Sequence, residues 1–184
     1  RSALGLDQTP PNMVLSSMAL VMTFFVMQPV FQDAWDGGVQ PLIDNAITEE
    51  QALARIGEPF KRFMFANTRD KDIALFQNIA LNPTGEDEAE PADLPTTAEE
   101  ASWRTLVPAF MISELRRAFS IGFLIYLPFI AIDLIIASIL MSAGMMMLPP
   151  VLVSLPFKVI FFVLIDGWYM LAGSLMQGYV PLAS

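Results

Sequence analysis

The sequence predicts an all-α fold of long apolar helical hairpins carrying a small, polar, helical insertion. Three observations lead there. The chain of 184 residues is 54% hydrophobic with a mean hydropathy of +0.52, too apolar for an ordinary soluble domain. Its charge is segregated: residues 33–104 hold 15 acidic and 6 basic residues, the same excess of nine as the whole chain's 19 against 10. The nearly charge-free stretches on either side are long enough for bilayer crossings of ~20 residues each. The chain therefore divides into an apolar helix over 1–32, an acidic domain over 33–104 with a mobile linker at 84–97, and a third part over 105–184. That last part holds a helix leading into a long apolar hairpin with its tip at 144–150.

The first helix lies in an uncharged run from Gln8 to Gln32, with its apolar heart at Met13 to Phe31. Thr9-Pro10-Pro11-Asn12 makes a helix start, since proline in the first turn sacrifices no hydrogen bond. Pro29 is expected to kink or stop the helix near its far end. A buried core helix is the alternative to a membrane helix, and the length without charge favours the membrane.

In the acidic part, Thr48 with Gln51 three residues on reads as a capping box. Glu58-Pro59-Phe60-Lys61-Arg62-Phe63-Met64-Phe65, then Leu75-Phe76, reads as one or two amphipathic helices. Asn82-Pro83-Thr84-Gly85 is a turn, and the acidic, proline-rich run from Glu86 to Pro95 is a solvated linker. Thr97 with Glu100 forms a second capping box. It is expected to open a helix running through Trp103, Phe110 and Leu115, on which Glu114 and Arg117, three apart, can pair. Phe60, Phe63, Phe65 and Phe76 exceed what a small solvated loop needs, which suggests a role in assembly.

From Ala118 onward the only charges are Asp133, Lys158 and Asp166. Ala118–Ala143 and Val151–Gln177 can each span a bilayer. Gly144-Met145-Met146-Met147-Leu148-Pro149-Pro150 separates them, with glycine ending one helix and proline starting the next. With the apex between Met145 and Met146, Asp133 lies 12.5 positions before it and Lys158 12.5 after it. Both helices rise ~1.5 Å per residue, so the two charges should sit at one height and approach each other, within the hairpin or across a subunit boundary. An unpaired charge at this depth costs roughly 2.5–3.5 kcal/mol on insertion scales. A proton relay is the sharper reading, but one Asp–Lys pair without a histidine or a second acid makes a poor relay, which favours structural pairing. Asp166, before Gly167-Trp168-Tyr169, is expected to bond polar groups of a neighbouring subunit, with Gly167 permitting close helix approach. Met145, Met146 and Met147 present a soft apolar surface at the bend. That surface either dips into lipid or packs on a neighbour, or else several such tips form a ring that closes a pore by dewetting.

Composition also excludes chemistry. The chain has no Cys and no His, which removes cysteine nucleophiles, histidine bases and zinc or iron–sulfur sites. No catalytic residue, metal site or cofactor is assigned. The acidic cluster lacks the ligand spacing of an EF-hand, and no nucleophile elbow or phosphate loop supports a hydrolase. The net charge of −9 argues against nucleic acid. Arg1-Ser2-Ala3-Leu4-Gly5 reads as an internal start rather than a leader. A solute transporter using Asp133, Lys158 and Asp166 remains a rival, which predicts a midplane site and function as an isolated chain. The scarcity of basic residues in 33–104 makes it the candidate outer, periplasmic segment.

Several stretches resemble one family. Thr9-Pro10-Pro11-Asn12 and Thr23-Phe24-Phe25-Val26-Met27-Gln28-Pro29-Val30 are similar to the first conserved block of the FliP family. Pro108 to Phe123, with Glu114, Arg116 and Arg117, resembles its signature helix, with Ser120 departing from the charged or amide residue usual there. Pro128 to Ser138, Gly144 to Pro150, Leu155-Pro156-Phe157-Lys158 and Asp166-Gly167-Trp168 resemble later blocks. The resemblance implies a non-enzymatic subunit of the flagellar type III export gate in the bacterial inner membrane, at the flagellar basal body. It implies a helical, pseudo-hexameric ring of five FliP copies and one FliR, with FliQ outside, FlhB near the channel mouth and FlhA supplying or coupling energy elsewhere. Unfolded exported proteins would pass through it. It also implies that Met145, Met146 and Met147 form a gasket, and that apolar segments can be held inside a protein ring rather than in lipid. The paralogous subunit of a virulence injectisome is the alternative, against which the long 33–104 segment leans flagellar.

Overall fold

A run of twenty-odd apolar residues has one way to satisfy its backbone away from water, which is to close every N–H onto its own carbonyls. The computed structural model describes residues 2–6, 8–81, 94–145 and 147–179. Among them all regular structure is helical. A short 3-10 turn at Ser2–Leu4 precedes α1 (Asn12–Ala34), a π-helical turn (Trp35–Val39) and α2 (Gln40–Ile43). Then come α3 (Glu49–Asn67), α4 (Asp70–Leu81), α5 (Trp103–Ser142), α6 (Pro150–Leu164) and α7 (Gly167–Met176).

Pro29 neither stops nor ends the first helix. It lies inside α1, and the helical path continues through the π turn to Ile43, 32 residues in all from Asn12. One missing N–H among so many intact bonds is tolerated in such a helix.

The chain forms two units, Arg1–Thr23 with Ala118–Gly178, and Phe24–Arg117 with Tyr179–Ser184. In the second, the capping box at α3 is formed in both directions: Thr48 Oγ1 accepts from the Gln51 N–H and Gln51 Oε1 accepts from the Thr48 N–H, each at 3.4 Å. The amphipathic stretch resolves into two helices, broken at Thr68, whose hydroxyl bonds back to the Met64 carbonyl at 2.6 Å. The core gathers Ile73, Ala101, Leu106 and Ala109, with Met64, Phe65 and Phe76 packed against it. Phe63 meets Phe110 edge-on and stacks on Tyr179, and Phe60 meets Phe31. The phenylalanines that looked surplus for a solvated loop are therefore used inside this unit.

The turn at Asn82 and the linker as far as residue 93 lie outside the described residues. At Thr97 the expected helix does not start. Glu100 accepts from the Thr96 and Thr97 N–H groups and the Thr96 hydroxyl, closing a turn, and α5 begins six residues later at Trp103. Ser102 is the cap: its carbonyl takes the Thr105 and Leu106 N–H groups and its hydroxyl the Arg104 N–H. The capping pair was therefore used locally, and a second serine closer to the apolar run nucleates the helix.

In the first unit, the α5 portion from Ala118 is followed by α6 and α7. Phe129, 1% exposed, lies edge-on to Phe161 at 5.7 Å and also touches Phe162. The stretch expected to span from Val151 to Gln177 as one helix is two, bent by 59° between α6 and α7. The break falls at Asp166, which adopts the left-handed conformation (φ 50°, ψ 56°) and interrupts the hydrogen-bond ladder.

Candidate functional site

Long apolar helices expose most of their side chains. Leu20 and Val21 are 71% exposed, and Phe119 is 76% exposed. Two helices, Asn12–Ile43 and Trp103–Ser142, are long and apolar enough to cross a membrane, and the bent pair α6–α7 makes a third if taken as one span. The hydroxyls of Ser17, Thr23, Ser138 and Ser174 each bond the carbonyl four residues back, at 2.7–2.8 Å. Each polar group is thereby satisfied by its own helix, as a lipid or protein surround requires.

The hairpin tip is built by a helix terminator. Gly144 sits at φ +73°, its N–H bonds the Met141 carbonyl and the Met145 N–H bonds the Leu140 carbonyl. This is the Schellman arrangement, whose left-handed residue glycine adopts without steric cost. Pro149 in extended conformation and Pro150 in the first turn then start α6. Between these stops Met145 is 50% exposed and Met147 98% exposed. Met146 lies outside the described residues.

Within the hairpin the Lys158 Nζ lies 2.5 Å from Asp133 Oδ2, and the lysine side chain is 4% exposed. Ser154, fully buried, donates to Asp133 Oδ1 at 2.5 Å. Both carboxylate oxygens are engaged, one by a charge and one by a hydroxyl. Ser154 was absent from the sequence reasoning. Its signal was its place four residues before Lys158, on the same helix face. Asp166 is not drawn into this cluster; it sits exposed at the α6–α7 elbow.

On the signature helix, Arg117 Nη1 meets Glu114 Oε1 at 2.9 Å. The Tyr179 hydroxyl donates to Glu114 Oε2 at 2.8 Å, and the Arg117 guanidinium lies 5.0 Å from the Tyr179 ring centroid. Burial and the Glu114 carboxylate together push the Tyr179 phenol up to about 12, so it remains a donor. Arg116, the next residue, is exposed.

One polar cluster escaped sequence reasoning altogether. Asp72 on α4 accepts from the Ser113 hydroxyl on α5 and from Arg69 Nε and Nη2 at 2.9 and 2.6 Å, while the Arg69 backbone N–H donates to Ser113 Oγ at 3.2 Å. Burial alone pushes the Asp72 carboxyl up. The hydrogen bonds from Ser113 and Arg69, with the charges of Arg69 and Lys71, outweigh it and hold it below its ordinary 3.8. A depressed folded-state value stabilises above the ordinary value, and that stabilisation is lost as pH falls through the depressed one. The second unit is expected to lose stability on acidification below about pH 4, and Asp72→Asn should flatten this part of the profile. Thermal melts of both proteins against pH would show it, and parallel acid profiles would contradict it.

Exposed apolar helices, hydroxyls turned onto their own backbones and a charge pair neutralised inside a hairpin define a helical protein of the membrane type. The family is fixed by comparison: the FliP family profile matches residues 1–175, and the chain belongs to that family. Flagellar biosynthetic protein FliP of Agrobacterium fabrum is 57% identical over 179 residues, covering 97% of this chain and 70% of the relative. The proteins of the same name from Rhizobium meliloti and Bacillus subtilis are 54% and 47% identical, covering 98% and 97% of this chain and 70% and 76% of the relatives. This is a family of structural components, not enzymes.

Proposed function

We propose that this chain is a channel-forming subunit of the flagellar type III export gate, in which several copies line a protein-conducting pore sealed by Met145, Met146 and Met147. The observation that carries this is the tip. A glycine–proline turn leaves Met147 98% exposed and Met145 half exposed at the end of an apolar hairpin whose charges Asp133 and Lys158 are paired. Flexible thioethers repeated from several copies would make a deformable apolar constriction, closed to ions by dewetting and able to fold aside for an unfolded chain. The apolar surface left exposed along α1 and α5 supports burial against lipid or neighbouring copies. FliR and FliQ complete the ring in this reading, FlhB and FlhA act beside it, the complex sits in the inner membrane at the basal body, and residues 33–104 face the periplasm. The names of the relatives favour the flagellar system over an injectisome. A solute transporter is disfavoured because both Asp133 oxygens are already taken by Lys158 and Ser154.

The chain contains no cysteine, which makes the test direct. With Met147→Cys as its single thiol, mild oxidation of the intact gate should link neighbouring copies into disulfide dimers. A control cysteine at Leu20 should not. Absence of dimers in a correctly assembled complex would remove the tips from the pore axis.

A further inference from the structure

A left-handed residue other than glycine inside an apolar helical segment persists only where its surroundings over-determine it. Asp166 is such a residue. Its N–H ends α6 by bonding the Val163 carbonyl at 3.2 Å, and its own carbonyl starts α7 by accepting from Met170 at 3.0 Å. Its side chain makes no capping bond, so local hydrogen bonding by the carboxylate does not hold the conformation. The next residue shows what does. The ring of Phe162 occupies the space where a Cβ on Gly167 would stand. That ring meets Trp168 edge-on at 5.4 Å and 88°, and behind it lies buried Phe129 at 6.3 Å. Phe162 thus wedges the elbow from the inside, between α5 and the first turn of α7.

Nothing else in the sequence forces the bend. From Phe157 to Met176 there is no proline, and Pro150–Met176 carries no charge apart from Lys158 and Asp166. Moving Ile165 (φ −86°, ψ 4°) and Asp166 into the ordinary right-handed helical region, with Phe162 lifted off Gly167, would make α6 and α7 one continuous helix. We infer that Ile165–Gly167 is a two-state elbow, bent while Phe162 is seated on Gly167 and straight when it is not, and that the hairpin switches between these forms during export. The two-state geometry stands on these contacts alone, and only its use in export rests on the proposed function.

Spin labels at Leu152→Cys and Ser174→Cys, both exposed positions, would read the elbow in the full chain, which has no other thiol. A straight helix puts these positions about 33 Å apart, and the 59° bend shortens that by about 4 Å. The wild-type chain should show the shorter distance. Asp166→Gly, which accepts the left-handed conformation freely, should keep it. Asp166→Ala and Gly167→Ala should both lengthen it by about 4 Å, by the same helix geometry. Phe162→Ala should lengthen it as well, because the ring that holds the bend is removed. Unchanged distances in Asp166→Ala, Gly167→Ala and Phe162→Ala would overturn the elbow. Export is read separately through swimming in cells with normally assembled gates. Asp166→Ala should reduce it several-fold while Asp166→Gly retains it. Normal swimming with a lengthened distance would overturn the switching role and leave the geometry intact.

Discussion

Replacing Asp133 by asparagine is expected to be among the most damaging single changes in the hairpin, at about 3–5 kcal/mol. Lys158 is 4% exposed and its ammonium has Asp133 as its ion-pair partner. Without the acid, the lysine keeps an unpaired charge in an apolar surround, which is costly. The partner change Lys158→Met should cost less, because Asp133 is 36% exposed and its carboxylate keeps the Ser154 hydroxyl. Combining Asp133→Asn with Lys158→Met should recover most of the loss, since no buried charge is then left without its partner. Thermal melts of the detergent-solubilised chain with the two single variants and the double form the cycle. A double variant no more stable than Asp133→Asn would mean that the pair is not the unit that matters.

Leu106→Ala should cost about 2–5 kcal/mol, the range for a leucine truncated in a core that cannot collapse around the gap. Leu106 is 0% exposed, among Ile73, Ala101 and Ala109. Its neighbour Val107 is 42% exposed, so Val107→Ala should stay within about 0.5 kcal/mol in the isolated chain. The contrast between adjacent residues on one helix is the check. Equal losses for the two would mean that α5 presents a different face to the core.

The elements with punctuation of their own were legible in the sequence. Gly144 and the Pro149-Pro150 pair announce the end of one helix and the start of the next, because each residue type has a local conformational reason to be there. Thr48 with Gln51 announces α3 in the same way. The proximity of Asp133 and Lys158 follows from counting residues on either side of the tip. Features that depend on distant partners were not legible. Ser113 lies 41 residues from Asp72, and no local pattern joins them. The elbow at Asp166 lies in a stretch with no proline between Phe157 and Met176 to announce it, and depends on where the Phe162 ring packs. Thr97 and Glu100 misled for a related reason: a capping pair can close a turn as well as a helix, and Ser102 stood nearer the apolar run. Pro29 does not stop α1, because a missing hydrogen bond weighs less in a long apolar helix than in an exposed one.

The central claim is that the hairpin tip seals a protein-conducting pore. Replacing Met145, Met146 and Met147 together by alanine in the complete gate, and following ion leakage across the inner membrane, tests it most directly. The account predicts a raised leak with the complex assembled, because the apolar constriction widens. An unchanged leak from an intact complex would contradict it, and would leave the methionines as ordinary packing between subunits.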